Sequence, residues 1–211
     1  MQTKWIHDRI VDVFRKERKD RIVDVFRKER KMEKSLIKSN YLSADMSLLF
    51  NLESSIDSVL AATMYKLCQF VSSERSSIFL FDTLKQQLIS FSSLDLEKGE
   101  VRISKLSGVT GWVFEHRQPA IANDAYDDSR FYDGVDEMTG FYTRNLICAP
   151  LIDHKGCCLG TLQSVNKKSG DFITEDLEFL NLTAGLVAVA IKNNRLFNEI
   201  KTTNGSVIYF V

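Results

Sequence analysis

The spacing of apolar residues predicts a helix at each end of a folded region, with strands between them. From residue 48 to residue 70, apolar residues recur at helical spacing, which predicts a helix that packs on a sheet. A second helical stripe is formed by Leu177, Leu180, Ala184, Val187 and Ile191. Thr174 precedes this stripe as a candidate N-cap, and two carboxylates follow it in the first turn.

Six short segments between these helices have the composition or alternation of strands. They are residues 76–82, 87–93, 101–104, 120–122, 146–152 and 158–165. The first two and the last two segments are joined by short polar turns, so each pair is a predicted hairpin. Residues 107–114 indicate a glycine-bounded turn into a helix that ends near Pro119. The order of elements predicts an α+β fold with a central antiparallel sheet.

Residues 124–143, referred to below as the lid segment, form the most unusual connection in the chain. They are crowded with hydroxyls, carboxylates, aromatic rings and glycines, although they lie between apolar segments. A connection of this length indicates a binding loop or a lid. Polar groups this close to a core need partners, because burying them unpaired is costly. Within the lid segment, residues 129–132 are predicted to begin a short helix.

Composition narrows the class of protein without identifying it. The chain is 44% hydrophobic and 27% charged, as in an ordinary soluble globular protein, and its formal net charge is zero. Residues 1–34 hold 12 basic and 7 acidic residues, so +5, and the remainder holds 16 and 21, so −5. A neutral total charge gives no argument that the chain binds nucleic acid.

Four cysteines without framework spacing predict a cytoplasmic setting, and no apolar run is long enough to span a membrane.

The N-terminal region contains an internal repeat, because residues 8–19 and 20–31 are the same twelve residues. A shift of twelve residues rotates a helix face by about 120°, so the two apolar sets do not form one stripe. We interpret this as a duplicated, solvated helix in preference to a basic helix that binds membrane or nucleic acid. The predicted organisation is a helical extension (1–47), a folded domain (48–201) and a C-terminal tail (202–211).

A short signature follows the last predicted strand. Asn166-Lys167 is followed by Phe172 and, after three more residues, by Asp176. Together with the lid segment, this signature resembles GAF domains of the cyclic-nucleotide-binding type, found in cyclic-nucleotide phosphodiesterases and bacterial adenylyl cyclases. Leu177 stands where that group has a second carboxylate. The resemblance covers residues 51–199 and implies a six-stranded antiparallel sheet, with the terminal helices on one face and a ligand enclosed beneath a lid on the other.

The resemblance also implies which residues contact the ligand. They are Ser77, Val109, Thr110, Phe131, Tyr132, Asp136, Thr139, Thr143 and Gln163. A residue near positions 93–95 is expected to help choose the base. Unpaired amides at a helix N-terminus suit a cyclic phosphate, so the candidate phosphate sites are the turn at residues 108–111 and the short helix near Ser129. The signature residues Asn166, Lys167, Phe172 and Asp176 are expected to brace the lid through a Lys167–Asp176 ion pair.

These features predict a regulatory sensor that binds cAMP or cGMP, signals through its terminal helices and forms a homodimer through them. We expect no enzymatic activity, metal site or further cofactor, because the three histidines lack any catalytic partner pattern. Two alternatives remain open. One is a ligand-free dimerisation module, which the departure at Leu177 permits, and the other is a pocket for another small planar ligand. The choice between cAMP and cGMP is also open.

Overall fold

A computed structural model of the chain describes residues 56–91 and 101–207, with side chains up to residue 196. The predictions for the duplicated N-terminal extension, for the base-reading position near residues 93–95 and for the end of the tail lie outside these described residues. They stay predictions, as does the division of the chain at residues 47 and 201.

The described residues form four helices and six strands. In chain order they are α1 (Ile56–Val71), β1 (Ser73–Asp82), β2 (Gln87–Phe91), β3 (Arg102–Ser104), α2 (Gly108–His116), β4 (Ala120–Ala122), α3 (Gly134–Thr139), β5 (Leu146–Ile152), β6 (Cys158–Lys167) and α4 (Thr174–Val207). In this part of the chain, no helix combines the length and apolar character needed to cross a membrane.

The six strands form one antiparallel sheet in the order β3-β2-β1-β6-β5-β4. Strands β1 and β6 lie at its centre, and their register pairs Ser77 with Gln163, while Gln163 also pairs with Cys148 on β5. Paired residues on neighbouring strands point to the same face of a sheet. The register therefore aligns these three polar side chains across the middle of one face.

The terminal helices α1 and α4 cover the other face of the sheet. Leu67 of α1 and Leu180 of α4 are fully buried, as the helical stripes predicted. Polar groups under the helices find partners in one another: the hydroxyls of Ser76 and Ser164 lie 2.7 Å apart, and the Cys68 thiol donates to Ser76. The predicted arrangement of the terminal helices is confirmed.

Helix α2 packs on the face of the sheet opposite the terminal helices. Val109 and Val113 are buried there in one cluster with residues of β4, β5 and β6, including Leu146 and Val165. Because α2 covers only part of this face, the remainder is left to the lid segment. The predicted two-sided architecture of the domain is therefore present.

The short helix of the lid segment begins later than the sequence predicts. Residues 129–132 are not helical, and α3 starts at Gly134. The carboxylate of Asp128 accepts hydrogen bonds from the Arg130 backbone and guanidinium, at 2.9 Å for the backbone amide. Such local side-chain bonds compete with helix formation, so this stretch forms a turn. Phe131 and Tyr132 consequently precede the helix and do not belong to it.

Candidate functional site

A cavity of about 60 Å³ lies between the sheet, the start of α2 and the lid segment. Seven of the nine predicted ligand contacts line it, namely Val109, Thr110, Phe131, Tyr132, Asp136, Thr143 and Gln163. Gly108, from the turn predicted as a phosphate site, also lines it, and the lining residues that the sequence did not single out are Phe79, Ile103, Ser107, Val135, Leu146 and Val165. For Phe79, Ile103, Leu146 and Val165, alternation along the predicted strands was the available signal, because residues two apart share a face.

The two remaining predicted contacts lie outside the cavity lining. Ser77 is half-buried and pairs with Gln163, so it lies beside the cavity on the same face of the sheet. Thr139 bonds within its own helix, because its hydroxyl donates to the carbonyl of Val135 at 2.7 Å.

The N-terminus of α2 faces the cavity. Ser107, Gly108, Val109 and Thr110 all line it, and the Ser107 side chain makes no capping hydrogen bond to the helix. Gly108 has a φ of 72°, and a Cβ there would lie 3.3 Å from the Cβ of Tyr132. A side chain at this position would therefore be strained and would press on the lid segment. The first amides of α2 consequently form an anion-compatible end to the cavity.

The side-chain amide of Gln163 forms part of the cavity floor. The hydroxyl of Thr110 donates to Oε1 of Gln163 at 2.8 Å, so the Gln163 amino group is the end left to donate to other groups. Cys148 lies beside Gln163 and is fully buried. Burial raises the pKa of the Cys148 thiol to about 12, which keeps this thiol neutral. The floor therefore offers hydrogen-bond donors but no charge.

A buried carboxylate closes the lid segment on itself. Asp136 in α3 is 7% exposed, and its oxygens accept from the Thr143 amide at 2.6 Å and from the Thr143 hydroxyl at 2.7 Å. The Tyr126 hydroxyl donates to the same carboxylate at 3.1 Å. These bonds join the beginning, the helix and the end of the lid segment. Asp136 therefore lines the cavity while its carboxylate oxygens are already bonded within the lid segment.

Aromatic rings cover the outside of the lid segment. The ring of Tyr126 stacks with that of Tyr142 at 5.1 Å and packs at a tilt against that of Phe131 at 5.0 Å. Tyr126 and Tyr142 remain substantially exposed, whereas Phe131 reaches the cavity. This arrangement links the outer surface of the lid segment to the cavity wall.

Arg130 attaches the lid segment to α2. Its guanidinium pairs with Asp128 at 2.6 Å and lies over the indole of Trp112 at 4.9 Å, while that indole also stacks with the ring of His116. Hydrogen bonding by Arg130 lowers the pKa of Asp128 below its usual value, so this ion pair persists at neutral pH. The middle of the lid segment is therefore held by a charged contact as well as an aromatic one.

Two asparagines hold the ends of the lid segment. Asn123 exchanges hydrogen bonds with the backbone of Phe172 at 2.9 and 3.0 Å. The Asn166 side chain bonds the carbonyl of Tyr142 at 2.8 Å and the amide of Arg144 at 2.7 Å. Asn166 was among the predicted signature residues, whereas Asn123 was not predicted from the sequence.

The signature also reaches the first turn of α4. Lys167 forms an ion pair with Asp176, and each side chain in the pair is only about one-seventh exposed. The Asp176 carboxylate also accepts from the amide of Ile173 at 3.0 Å. This carboxylate satisfies the helix start, while the predicted cap Thr174 is itself the first helical residue. One signature therefore contacts both the end of the lid segment and the start of the last helix.

The model of the GAF domain family matches residues 55–191. The chain belongs to the GAF-domain family. This GAF domain is 34% identical over 155 residues to the "Dual 3',5'-cyclic-AMP and -GMP phosphodiesterase 11A" of Takifugu rubripes, covering 65% of this chain and 17% of the relative. It is 27% identical over 176 residues to the "Probable 3',5'-cyclic phosphodiesterase pde-5" of Caenorhabditis elegans, covering 77% of this chain and 24% of that relative. The chain thus spans less than a quarter of these relatives.

Solved structures share the fold of this GAF domain. The GAF domain of a phosphoenolpyruvate-protein phosphotransferase from Coxiella burnetii superposes with a TM-score of 0.67 at 19% identity, covering 77% of this chain and 98% of that one. Free methionine-R-sulfoxide reductase from Neisseria meningitidis, in complex with its substrate, superposes with a TM-score of 0.61 at 18% identity. This match covers 75% of this chain and 90% of that one. These likenesses confirm the predicted α+β GAF fold.

Proposed function

We propose that this GAF domain is a regulatory module that binds a cyclic nucleotide, cAMP or cGMP, in the cavity under the lid segment. The observation that carries the proposal is the convergence of seven predicted contacts on one cavity that ends at the N-terminus of α2. The cyclic phosphodiesterase names of the similar relatives support the same ligand class.

We propose a place for each part of such a ligand from the chemistry of the cavity. The cyclic phosphate belongs at the start of α2, where amides and the helix dipole favour an anion. Helix α3 does not suit it, because Asp136 and Glu137 lie in its first turn and repel negative charge. The base then lies over the apolar wall that includes Phe79, within reach of the Gln163 amino group. Phosphate recognition at α2 therefore replaces the second candidate site near Ser129.

The lid segment has to move outward to admit a nucleotide. A cavity of about 60 Å³ has room for a few water molecules, whereas pockets for ligands of this size are several times larger. The lid segment supplies the wall that includes Phe131, Tyr132 and Val135, and its two ends are held by Asn123 and Asn166. Opening is therefore proposed between fixed ends, and a ligand that binds one lid position better shifts the balance between the two.

The proposed signal leaves through the terminal helices of a cytoplasmic homodimer. The Lys167–Asp176 pair connects the strand beside the lid segment to α4, which gives lid movement a direct mechanical route. The role that we propose for this chain is regulatory and not catalytic, in keeping with its match to the GAF-domain model.

Isothermal titration of the purified chain with cAMP and cGMP tests the proposal, with 5′-GMP as the acyclic control. We expect saturable binding of a cyclic nucleotide, weakened about tenfold in Thr110→Val because one hydrogen bond in the floor contributes about 1–1.5 kcal/mol. The matched variant Thr83→Val, in the exposed β1–β2 turn, keeps full affinity. Absence of both heat and thermal stabilisation with either cyclic nucleotide overturns the proposal.

A second candidate function is that of a dimerisation module, which has the GAF fold but binds no ligand. It is favoured by the small cavity and by the Asp136 carboxylate, whose hydrogen bonds lie within the lid segment. Mass spectrometry of the purified chain under native conditions separates the possibilities. A bound nucleotide mass supports the sensor, another bound mass identifies a different planar ligand, and an empty chain that ignores both nucleotides supports the module.

A further inference from the structure

The outer surface of the lid segment carries two stacked tyrosine rings, referred to below as the tyrosine pair. Tyr126 and Tyr142 are 47% and 63% exposed, and their rings stack with an angle of 16° between their planes. Both residues are fixed from the inner side, because the Tyr126 hydroxyl donates to Asp136 and the Tyr142 carbonyl accepts from Asn166. Tyrosines that are already held in position lose little conformational entropy when a partner covers them. The tyrosine pair therefore has the character of a binding surface.

Negative charge surrounds the tyrosine pair. Residues 124–143 contain six acidic residues and one basic residue, so −5. Four of the acidic side chains are exposed and form no ion pair within the described part of the chain, namely Asp124, Asp127, Asp133 and Glu137. Asp133 lies close to the Tyr126 hydroxyl, whose pKa is raised by desolvation, by the hydrogen bond to Asp136 and by the charges of Asp136 and Asp133. A partner that covers the rings therefore also meets these carboxylates.

The domain itself shows how a cation binds to such a surface. The Arg130 guanidinium lies 4.9 Å from the centre of the Trp112 ring and pairs with the Asp128 carboxylate at 2.6 Å. A guanidinium is planar, so it stacks on a ring while its N–H groups bond to a carboxylate, which a compact ammonium group does less well. The tyrosine pair and Asp133 offer the same combination of a ring face and a carboxylate.

No arginine among the described residues lies on the tyrosine pair. Arg75 lies over the Phe141 ring at 4.3 Å from its centre, and Arg144 pairs with Glu74 at 2.8 Å. Another molecule therefore has to supply the cation. The exposed carboxylates repel the phosphates of nucleic acids and of anionic lipids, whereas they attract a basic stretch of polypeptide.

We propose that the outer surface of the lid segment binds an arginine-rich segment of a partner protein, whose guanidinium groups stack on the tyrosine pair and bond to Asp133 and the neighbouring carboxylates. This goes beyond the proposed function, because it concerns the outside of the lid segment and not the cavity. Tyr126 and Tyr142 come from the beginning and the end of the lid segment. A partner that covers both rings therefore restrains the lid segment from outside.

Fluorescence anisotropy with two labelled peptides tests the proposal on the full chain without any nucleotide. The probes are nona-arginine and nona-lysine, which carry the same charge and differ in their ability to stack on rings. At about 0.15 M salt, where exposed charges are partly screened, we expect nona-arginine to bind about fivefold more tightly than nona-lysine. Absence of nona-arginine binding, or equal affinity for the two peptides, overturns the proposal.

Substitutions test where the peptide binds. Tyr142→Leu keeps apolar bulk but removes the ring, so the preference for nona-arginine should fall to about twofold or less. Asp133→Asn should weaken the binding of both peptides by about twofold to fivefold. The matched controls are Tyr65→Leu, at a tyrosine of α1 that is 55% exposed, and Glu178→Gln, at an exposed carboxylate of α4, and both should keep the parent's affinities. A preference for nona-arginine that persists in Tyr142→Leu contradicts binding at the tyrosine pair.

Discussion

The carboxylate of Asp136 holds together three parts of the lid segment that lie up to seventeen residues apart in the chain, from Tyr126 to Thr143. Charge-assisted hydrogen bonds of this kind are among the stronger ones in proteins, and their loss leaves buried donors without acceptors. A residue that the sequence resemblance assigns to ligand contact thus has a second task, which is to give the cavity wall its shape.

Replacing Asp136 with Ala is expected to destabilise the fold by about 2–4 kcal/mol, because the Thr143 amide and hydroxyl lose a charged acceptor while they are buried. Urea denaturation measures the change in free energy of unfolding. The neighbouring Glu137 is exposed, so Glu137→Ala should stay within about 0.5 kcal/mol of the parent. Equal effects of the two substitutions would show that the Asp136 contacts do not stabilise the lid segment.

At the scale of elements, the signature that begins at the end of β6 joins β1 to the lid segment. Asn166 has a φ of 57° and is 1% exposed, and its side chain contacts β1 as well as the lid segment through Glu74 and Tyr142. Left-handed backbone is uncommon outside glycine, and asparagine is one of the few residues that adopt it readily. The junction thus depends on both the backbone and the side chain of one residue.

The Lys167–Asp176 pair should contribute more than a surface ion pair and less than a fully buried one. Exposed pairs are worth about 0–1 kcal/mol, and breaking a buried pair costs about 3–5 kcal/mol. Since the two side chains are about one-seventh exposed, we expect Lys167→Ala to cost about 2 kcal/mol in thermal or urea unfolding. The adjacent Lys168 is exposed and serves as the control, since Lys168→Ala should change little. A cost below that of the control would mean that the pair does not brace the domain.

The pattern of apolar and polar residues predicted the bounds of an element well where residues adjacent in sequence determine those bounds. Strands β4 and β5 have the predicted bounds because β4 lies between Pro119 and Asn123, and the apolar run of β5 lies between Asn145 and Asp153. The start of α3 was wrong because the Asp128 side chain competes for nearby backbone amides. The contact of Asn123 with Phe172 joins residues 49 positions apart, and no local pattern contains that information.

At the scale of the whole domain, the sheet separates two kinds of surroundings. One face carries the terminal helices over a largely apolar core in which Ser76 and Ser164 bond to each other, and the other face carries the cavity, with polar groups at its floor. The four cysteines sample these surroundings: Cys68 and Cys148 are buried on opposite faces, Cys158 is half-buried and Cys157 is exposed. The rates at which the four thiols are alkylated therefore measure how accessible each face of the sheet is to a reagent.

Alkylation with iodoacetamide, followed by peptide mass spectrometry, should modify Cys157 first in the native protein. Burial raises the pKa of Cys148 to about 12, so its reactive thiolate is scarce and modification should be about a hundredfold slower or more, proceeding through local opening. Cys157→Ser should remove the fast reaction and leave the others unchanged. Rapid modification of Cys148 in the folded chain would show that the cavity floor is open to reagents.

The position of Arg130 over Trp112 has a practical consequence. The chain contains only two tryptophans, and the other one lies at position 5, so a Trp5→Phe variant emits from a single indole. Any outward swing of residues 124–143 withdraws the guanidinium from that indole and alters its emission. The protein thus contains its own fluorophore for timing how quickly the lid segment moves.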